Sequence, residues 1–308
     1  MKIIVFLPCY NEEKTISKVI DDFKKELPEA EIVVFDNNSS DQSVNIARSK
    51  GATIYVEKKR GKGNVVKSAF NKLQADIYIM ADADDTYPAD EVHKLLKPIL
   101  DGQADMTVGT RLENANAKEL RKLHKFGNKF ILFILNTVFR SKFKDILSGY
   151  RVMNKDFVKG IPLLSEGFEI ETEITLQALE RGYRVLEIPT KYRERPIGSF
   201  SKIETFKDGF KIVFTIISIL RDYRPIVFFM SISVILLVLG LLSGGTVLIE
   251  YIQTKFVTRI PLAILSTLLI ILSFISFMTG FIVSAINRRF EEMNIQIKKS
   301  LYKEEEQK

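Results

Sequence analysis

Two long runs without a charged residue constrain this chain more than any other feature of its sequence. They extend from about Ile226 to Ile249 and from about Ile260 to Ile286. Each exceeds the roughly 20 residues that an apolar helix needs to cross a bilayer. The sequence therefore predicts a charged domain followed by two transmembrane helices within 225–287, and the alternative is a pair of buried core helices.

The charges around these runs predict how the hairpin is oriented. The loop between the runs, Glu250 to Arg259, is short, and basic residues cluster at the outer ends instead. These basic residues are Arg221, Arg224, Arg288, Arg289, Lys298 and Lys299. By the positive-inside rule, we expect the large domain and a charged tail at 288–308 on the cytoplasmic side of the plasma membrane. The first apolar run ends at Pro8 and is too short for a signal peptide, so we expect no export of the domain.

Composition excludes several kinds of site. The 308 residues include one cysteine, Cys9, and two histidines, so an internal disulfide and cysteine- or histidine-rich metal sites are excluded. The formal net charge is +7. We expect no nucleic-acid partner because no nucleic-acid motif is present. The basic residues lie near apolar segments, which favours anionic membrane lipids as partners.

Short apolar runs alternate with helical patterns through the first hundred residues. Strands are predicted at Lys2–Leu7, Glu31–Phe35, Thr53–Glu57, Asp76–Met80 and Asp105–Gly109. Helices are predicted at about Glu12–Leu27, Gln42–Lys50, Asn64–Leu73 and Pro88–Leu100. We expect Pro8 to stop the first strand. Such alternation predicts an α/β domain with a mostly parallel sheet and right-handed crossovers.

An acidic cluster, ADADDTYP at 81–88, follows the fourth predicted strand. Ligands bind at the carboxyl ends of the strands in open α/β sheets. Asp82 and Asp84 are two residues apart and point the same way in an extended chain. Two such carboxylates suit a hard divalent cation that also binds phosphate oxygens. The alternative is an acidic turn that caps the following helix.

The loops after the other strands carry polar residues that we expect at the same edge of the sheet. The full set is Tyr10, Asn11, Glu12, Asp36, Asp41, Lys62, Asp82 and Asp84. It offers acceptors for base and ribose groups, a cation for phosphate, and carboxylates for a metal. This combination indicates a nucleotide-diphosphate site. The Gly61–Lys62–Gly63 loop by itself is weak evidence, because it has neither the Walker nor the dinucleotide-binding spacing.

Six motifs together resemble a known family. In chain order they are LPCYNEEKTI, VFDNNSSDQS, GKGNVVKSA, ADADDTYP, DILSGYRVMN and FEIETEI. Their order is similar to that of the inverting family 2 glycosyltransferases. Within that family the chain is most similar to the branch of dolichyl-phosphate mannose synthases and polyprenyl-phosphate glycosyltransferases. The resemblance covers roughly residues 1–202, and the paired C-terminal apolar helices match many bacterial and archaeal members.

The resemblance implies a GT-A catalytic domain over 1–202 that binds a nucleotide-diphospho-sugar. The implied donor-binding residues are Pro8, Tyr10, Asn11, Glu12, Asp36, Asp41, Lys62 and Asp82. Asp82 and Asp84 would bind Mg²⁺ or Mn²⁺ together with the diphosphate. In some mannose synthases a further polar metal ligand follows this pair. Asp85 and Thr86 occupy that region here, which leaves the third ligand open.

The segment from Asp145 to Arg151 matches the acceptor-side motif of the family. The implied catalytic residues are Asp84, Asp145 and Arg151. The implied acceptor-phosphate ligands are Arg111, Ser148, Arg151, Arg193, Arg195 and Lys202. Without the resemblance, the alternative is a tight turn into a strand with Arg151 at the surface. In the helix predicted at Phe168–Leu179, Glu169 and Glu173 share a face and repel each other, so we expect them to be solvated or one of them to be functional.

Two further segments have amphipathic patterns. Residues 118–143 combine an apolar stripe with many basic residues, which is typical of a helix that lies on a membrane surface. The alternative is an ordinary helix that covers the core. Residues 203–224 have a second apolar stripe, and we expect a juxtamembrane helix that leads into the first span.

We therefore expect an inverting transfer of a sugar to a polyprenyl phosphate, undecaprenyl or dolichyl, with the lipid phosphate as nucleophile. Asp145 and Glu171 would orient cations or sugar hydroxyls, and a base role for Asp145 is the alternative. A processive polysaccharide synthase is disfavoured because the chain has no tryptophan for the acceptor motif of that class and two spans only. A non-catalytic nucleotide-binding scaffold is the remaining alternative. Gly240 and Gly244 have the G-x-x-x-G spacing, which predicts that the hairpin assists formation of a homo-oligomer, and the alternative is that these glycines have no interface role.

Overall fold

A computed structural model describes residues 1–111, 136, 143–167, 169–193, 214, 217, 218, 220–222 and 224–306. The chain forms two compact units, Met1–Ile216 and Ile217–Lys308. Several predictions lie outside the described residues. They are almost all of the helix at 118–143, most of the helix at 203–224, and the phosphate ligands Arg195 and Lys202.

The first unit alternates strands and helices as predicted. Its elements are β1 (Ile3–Cys9), α1 (Ile16–Glu26), β2 (Glu31–Asp36), α2 (Ser43–Ser49), β3 (Thr53–Val56), α3 (Lys62–Lys72), β4 (Ile77–Met80), a 3₁₀ turn (Ala89–Glu91), α4 (Val92–Leu100), β5 (Met106–Thr110), β6 (Arg151–Asn154), α5 (Lys155–Gly160), α6 (Ile170–Glu180) and β7 (Val185–Pro189). The strands form one sheet in the order β3-β2-β1-β4-β6-β5-β7.

The sheet is parallel except at β6, which runs antiparallel to both β4 and β5. Met80, the last residue of β4, is opposite Arg151, the first residue of β6. The amino end of β6 therefore lies at the same edge as the carboxyl ends of the parallel strands. As a result, the loop that precedes β6 joins the loops that follow β1, β2 and β4.

The prediction that Pro8 ends the first strand is wrong, because β1 continues to Cys9 and pairs that residue with Asp36 of β2. On its other side, β1 pairs with β4 as far as Phe6 and no farther. Beyond Phe6 the strand is an edge on that side. A proline at an edge removes no ladder hydrogen bond, so Pro8 is tolerated there.

Both faces of the sheet are buried. Val5 and Leu7 point to a core made with α1 and α4, which includes Phe23. Their neighbours Ile4 and Phe6 point to the opposite core, made with α3 and α6. Because helices cover both faces, the strands are continuously apolar rather than alternating. This fixes the strands rigidly and leaves their ends to carry the polar residues.

The second unit contains α7 (Pro225–Thr254) and α8 (Ile260–Glu306). Both helices are long and apolar enough to cross a membrane. They pack on each other through small residues: Ser233 Oγ lies 3.0 Å from Ser273 Oγ, and Ser276 Oγ donates to the Phe229 carbonyl at 2.9 Å. The alternative of two buried core helices does not fit, because most of their large apolar side chains are exposed.

The glycines of the predicted oligomer motif face the partner helix of the same chain. A Cβ placed on Gly240 would lie 2.8 Å from Cγ1 of Ile270, and one placed on Gly244 would lie 3.4 Å from Ser266. The two glycines therefore allow α7 to pack closely against α8 of the same chain. The motif no longer supports the prediction of a homo-oligomer.

Candidate active site

The loops after β1 and β2 form one polar framework. Asn11 has a left-handed backbone, with φ of 52°. Its backbone N donates to Ser39 Oγ at 2.9 Å, and its side-chain oxygen accepts from Ser40 N at 2.8 Å. Glu12 is buried, and its backbone N donates to Ser43 Oγ at 2.8 Å. Asn11 and Glu12 therefore lie at the predicted edge, and their backbones are fixed by the neighbouring loop.

The two predicted aspartates of the β2 loop have different surroundings. Asp36 is buried at the end of β2 and accepts a hydrogen bond from Ser39 N at 3.1 Å. Asp41 accepts from Ser43 Oγ at 2.6 Å and from Glu13 N at 3.1 Å. Burial alone would raise the pKa of Asp41, but these hydrogen bonds outweigh it and the pKa is lowered. Asp41 thus stabilises the loop at the start of α2, whereas Asp36 lies at the carboxyl end of β2.

Asn37 is a site-forming residue that the sequence analysis missed. Its amide nitrogen donates to the carbonyls of Glu57 and Lys59, at 3.0 and 2.7 Å. Its side-chain oxygen accepts from Gly61 N at 2.8 Å. This one amide therefore fixes the basic loop that leads into α3. The sequence gives one indication of this role, because Asn37 follows Asp36 directly in the polar segment after β2.

The basic loop also contacts the loop after β1. The guanidinium of Arg60 lies over the ring of Tyr10, 5.1 Å from its centroid. Tyr10 and Pro8 are both partly exposed at the end of β1. A cation stacked on an aromatic ring is weakly attractive at an exposed site and presents a flat surface. Pro8 and Tyr10, two of the predicted donor-binding residues, thus lie at this edge of the sheet, with Arg60 against the Tyr10 ring.

Lys62 joins two carboxylates at the centre of the site. Its Nζ lies 2.5 Å from Asp82 Oδ1 and 2.6 Å from Glu171 Oε1, and the side chain is 10% exposed. Burial opposes the charged form, but the two carboxylates outweigh it and raise the pKa of Lys62. Lys62 is therefore a permanent cation. It is connected through Asp82 to the β4 loop and through Glu171 to the first turn of α6.

The acidic pair after β4 has one accessible and one buried member. Asp82 is 25% exposed, whereas Asp84 is buried and its Oδ1 accepts from Thr86 Oγ1 at 2.6 Å. Among the described residues, no group of three or more acidic, histidine or cysteine side chains could hold a metal ion. Two carboxylates fit a divalent ion that takes its remaining oxygens from a diphosphate and water. Asp85 pairs with Lys18 at 2.7 Å, and the Thr86 hydroxyl donates to Asp84, so both candidates for the third ligand already have a protein partner.

The loop before β6 lies directly against this cluster. A Cβ placed on Gly149 would be 2.9 Å from both Asp82 Oδ2 and Lys62 Nζ. Gly149 N donates to the hydroxyl of buried Tyr87 at 2.9 Å. The hydroxyl of Ser148, which was predicted to contact the acceptor phosphate, is buried and 3.5 Å from the same tyrosine oxygen. Tyr87 was missed as a site residue, although it lies within the acidic motif.

Arg111 and Asp145 form the second charged pair of the site. Arg111 Nε and Nη2 donate to the two oxygens of Asp145 at 2.8 and 2.9 Å. Asp145 is buried, whereas Arg111 is 30% exposed. Burial alone would raise the pKa of Asp145, but Arg111 outweighs it and the pKa is lowered. The structure thus presents a guanidinium fixed by a carboxylate.

The structure contradicts the alternative that places Arg151 at the surface, because the side chain is 0% exposed. Its guanidinium donates at 2.9 Å to the carbonyls of Ser148, Ile146 and Glu171 and to Thr175 Oγ1. Burial lowers the pKa of Arg151 to about 10. Arg151 therefore holds the loop before β6 against α6, and its role toward the acceptor phosphate stays a prediction.

The remaining predicted residues are also paired. Arg193 Nη1 lies 2.9 Å from Asp85 Oδ1, at the surface. Glu173 is buried and accepts from the backbone N of Leu164 and Ser165 at 2.8 and 2.7 Å. The prediction that Glu169 and Glu173 are either solvated or functional is therefore replaced by a structural role for Glu173. Helix α6 begins at Ile170, so Glu169 is the residue that precedes it.

Comparison with known proteins identifies the family of the chain. Residues 4–161 match the sequence profile of Glycosyl transferase family 2. The chain is 32% identical over 232 residues to Glycosyltransferase AglJ of Haloferax volcanii, covering 75% of this chain and 76% of that protein. It is 27% identical over 220 residues to the Dolichyl-phosphate hexose transferase of the same organism, covering 71% and 94%.

The fold of the first unit also has solved relatives. Glucosyl-3-phosphoglycerate synthase of Mycobacterium tuberculosis, solved with Mn²⁺, UDP and glucosyl-3-phosphoglycerate, superposes with a TM-score of 0.58 at 21% identity. The similarity covers 71% of this chain and 79% of that one. The α/β unit thus has the predicted GT-A fold. Because the profile spans half of the chain and a relative exceeds 30% identity over three quarters of both proteins, the chain belongs to glycosyl transferase family 2 and is a glycosyltransferase.

Proposed function

We propose that this protein transfers a sugar from a nucleotide-diphospho-sugar to a polyprenyl phosphate, with inversion, at the cytoplasmic face of the plasma membrane. The dolichyl-phosphate hexose transferase among its relatives supports a lipid phosphate as the acceptor. The observation that carries the proposal is the guanidinium of Arg111, which is partly exposed and is fixed by the buried carboxylate of Asp145.

The donor end of the site is assigned to the loops after β1, β2 and β4. Tyr10 and Arg60 present a flat surface for the base, and buried Asp36 offers an acceptor for base or ribose groups. Lys62 carries the positive charge next to Asp82. Asp82 and Asp84 would hold Mg²⁺ or Mn²⁺, which supplies charge neutralisation for the diphosphate when it is bound. The Mn²⁺ and UDP in the solved relative support this assignment.

The acceptor supplies its own nucleophile. A phosphate monoester has a second pKa near about 6, so its oxygen is largely anionic at neutral pH. That oxygen forms the new bond to the anomeric carbon, and the bond from this carbon to the donor diphosphate breaks. The nucleoside diphosphate leaves with the electron pair, and no proton needs to be removed. Attack opposite to the leaving group inverts the anomeric configuration.

The protein must bring two anions together for this reaction. Arg111 suits the acceptor phosphate because Nε and Nη2 face Asp145 and no described residue accepts a hydrogen bond from Nη1. Fixed cations aimed at developing charge are a large source of rate enhancement. Asp145 orients Arg111 and stays ionised. Its lowered pKa makes it a poor general base, which disfavours the alternative role.

The test uses the full chain in liposomes with a panel of labelled UDP- and GDP-sugars. A short polyprenyl phosphate is one acceptor, and a water-soluble phosphate monoester is the other. We expect label in the lipid phase, an inverted product, and loss of at least about a hundredfold in rate for Asp84→Asn or with excess chelator. Transfer to the soluble phosphate alone, a retained configuration, or no transfer with any donor contradicts the proposal. Arg184→Gln, remote from the site, is the matched control.

A further inference from the structure

Two consecutive residues after β7 contact the two charged ends of the site. Tyr192 is partly exposed and Arg193 is exposed. The backbone there is tied to the sheet through Thr190 N, which donates to the Thr110 carbonyl at 3.1 Å. The side chains of Tyr192 and Arg193 then reach different neighbours. The sequence analysis assigned Arg193 to the acceptor phosphate and assigned nothing to Tyr192.

Tyr192 contacts the acceptor end. The guanidinium of Arg111 lies over its ring at 5.8 Å from the centroid. The ring also packs edge-on against Tyr87, with centroids 5.5 Å apart. Arg111 is therefore held by Asp145 through hydrogen bonds and by Tyr192 through a cation–π contact.

Arg193 contacts the donor end. Its backbone N donates to the Thr86 carbonyl at 2.9 Å, and its Nη1 lies 2.9 Å from Asp85 Oδ1. Lys18 Nζ lies 2.7 Å from the same Asp85 oxygen. Asp85 has a left-handed backbone, with φ of 59°, a conformation that costs free energy for a residue other than glycine. The two cations therefore hold a strained turn in place.

That turn carries a predicted metal ligand. Thr86 N and Oγ1 both donate to Asp84 Oδ1, at 3.2 and 2.6 Å. The path from Arg193 to Asp84 thus passes through a single residue, Thr86. We expect displacement of the Arg193 backbone to release the Thr86 carbonyl and to shift the two donors that orient the Asp84 carboxylate.

We propose that Tyr192 and Arg193 are a pair of positioning residues that set Arg111 and the Asp84–Thr86 turn in one geometry. The inference rests on the proposed function, because it assigns the two ends to acceptor and donor. It replaces the expectation that Arg193 binds the acceptor phosphate. Since the residues are adjacent, one short backbone segment positions both ends of the site.

The experiment separates the two ends. Affinity for Mn²⁺ with UDP or GDP is measured by calorimetry without acceptor, and acceptor KM and kcat are measured by transfer. We expect Arg193→Gln to weaken Mn²⁺-nucleotide affinity by about threefold to tenfold, with partial rescue in Arg193→Lys. We expect Tyr192→Leu to raise the acceptor KM by about threefold or more, with rescue in Tyr192→Phe, which keeps the ring.

Asp85 provides an internal control for backbone strain. Asn adopts the left-handed conformation readily, so Asp85→Asn removes the charge without new strain, whereas Asp85→Ala adds strain. We expect Asp85→Asn to match Arg193→Gln in nucleotide affinity and the double variant to be no worse than either single variant. Additive losses overturn the proposed connection.

The remaining outcomes are also decisive. If the wild-type protein transfers sugar but Arg193→Gln and Tyr192→Leu behave like Arg184→Gln, the positioning pair is wrong and the proposed function stands. If Arg193→Gln raises the acceptor KM and leaves nucleotide affinity unchanged, Arg193 is a phosphate ligand and the inference is overturned. If the wild-type protein transfers nothing to a lipid phosphate, the proposed function fails, and the nucleotide affinities still test the link to Asp84.

Discussion

Arg111 donates three hydrogen bonds to Asp145: from its backbone N at 3.2 Å, from Nε at 2.8 Å and from Nη2 at 2.9 Å. A two-point guanidinium–carboxylate contact fixes orientation as well as charge. The carboxylate is buried, whereas the cation is partly exposed. The arrangement therefore suits an anion that arrives from outside.

The pH dependence of transfer should follow the acceptor phosphate. Arg111 outweighs burial and lowers the pKa of Asp145 in the folded protein. A carboxyl whose pKa is lowered by folding stabilises the folded protein at any pH above its pKa in the unfolded chain, about 3.9. This contribution is lost as the pH falls through its pKa in the folded protein. Asp145 is thus ionised throughout the range from about pH 5 to 8. We expect kcat to decline below about pH 6 as the phosphate is protonated, and a phosphonate acceptor with a higher second pKa should shift the decline upward.

Arg111→Ala should affect acceptor binding selectively. Loss of a charged hydrogen-bond donor costs about 1.5–3 kcal/mol, so we expect the acceptor KM to rise by about tenfold to a hundredfold. Mn²⁺-nucleotide affinity should stay near the wild-type value. Transfer kinetics and calorimetry on the same preparation check both expectations. An unchanged acceptor KM would remove Arg111 from the acceptor site.

Arg151→Ala should instead destabilise the fold. Its guanidinium is fully buried and bonded to the loop before β6 and to α6, so truncation leaves three carbonyls without their donor. Removing one side of a buried charged network costs about 3–5 kcal/mol. Thermal unfolding of the purified protein measures the loss, with exposed Arg184→Gln as the control. A variant that unfolds like the wild type but binds acceptor poorly restores the phosphate role.

Lys62→Met should lower both stability and activity. Asp82 and Glu171 then face each other without a cation, and adding Glu171→Gln should recover stability but not activity. We expect transfer to fall by about a hundredfold or more. The pKa of Lys62 is raised in the folded protein, so its contribution to stability is present below the pKa of the unfolded chain, about 10.4, and is lost only at higher pH. The loss of stability in Lys62→Met should therefore be the same between about pH 6 and 9. Full activity of the double variant contradicts a donor role for Lys62.

Gly240→Leu should disrupt the helical hairpin. Its side chain would collide with Ile270 and the Ser266 carbonyl, whereas Gly245 has no atom within 4 Å of an added Cβ. Overpacking costs about 1–3 kcal/mol, so we expect Gly240→Leu to lower the melting temperature in detergent. The matched Gly245→Leu should leave the melting temperature unchanged. Equal melting temperatures would show that the close contact of α7 and α8 is not maintained in the protein.

The sequence predicts the parallel half of the sheet well because burial on both faces leaves runs such as IIVFL. It does not predict that β6 is reversed, since a four-residue strand carries no sign of direction. That reversal decides where Gly149 and Ser148 lie. The burial of Arg151 was not predicted, because the motif gives no sign that this arginine opens the buried strand RVMN.

The ion pairs at this edge of the sheet were equally hard to predict. Lys62 and Asp82 both follow strands that end at the same edge, so their proximity could be predicted. The ion pair between Lys62 and Glu171 depends instead on how α6 packs against α3. Tyr192 and Asn37 have ordinary side chains, and their importance arises from neighbours distant in sequence.

The serine and glycine contacts between α7 and α8 have a consequence for biogenesis. The ribosome synthesises α7 before α8. The surface at Gly240 and the Ser233 hydroxyl therefore lack their contacts with α8 until that helix has been synthesised. Hydroxyls and close backbone contacts are what hold helices together once lipid surrounds them. We therefore expect the two helices to enter the bilayer as a joint unit. A chain truncated after Thr254 should be a substrate for membrane quality-control proteases, although its first span is apolar enough to insert.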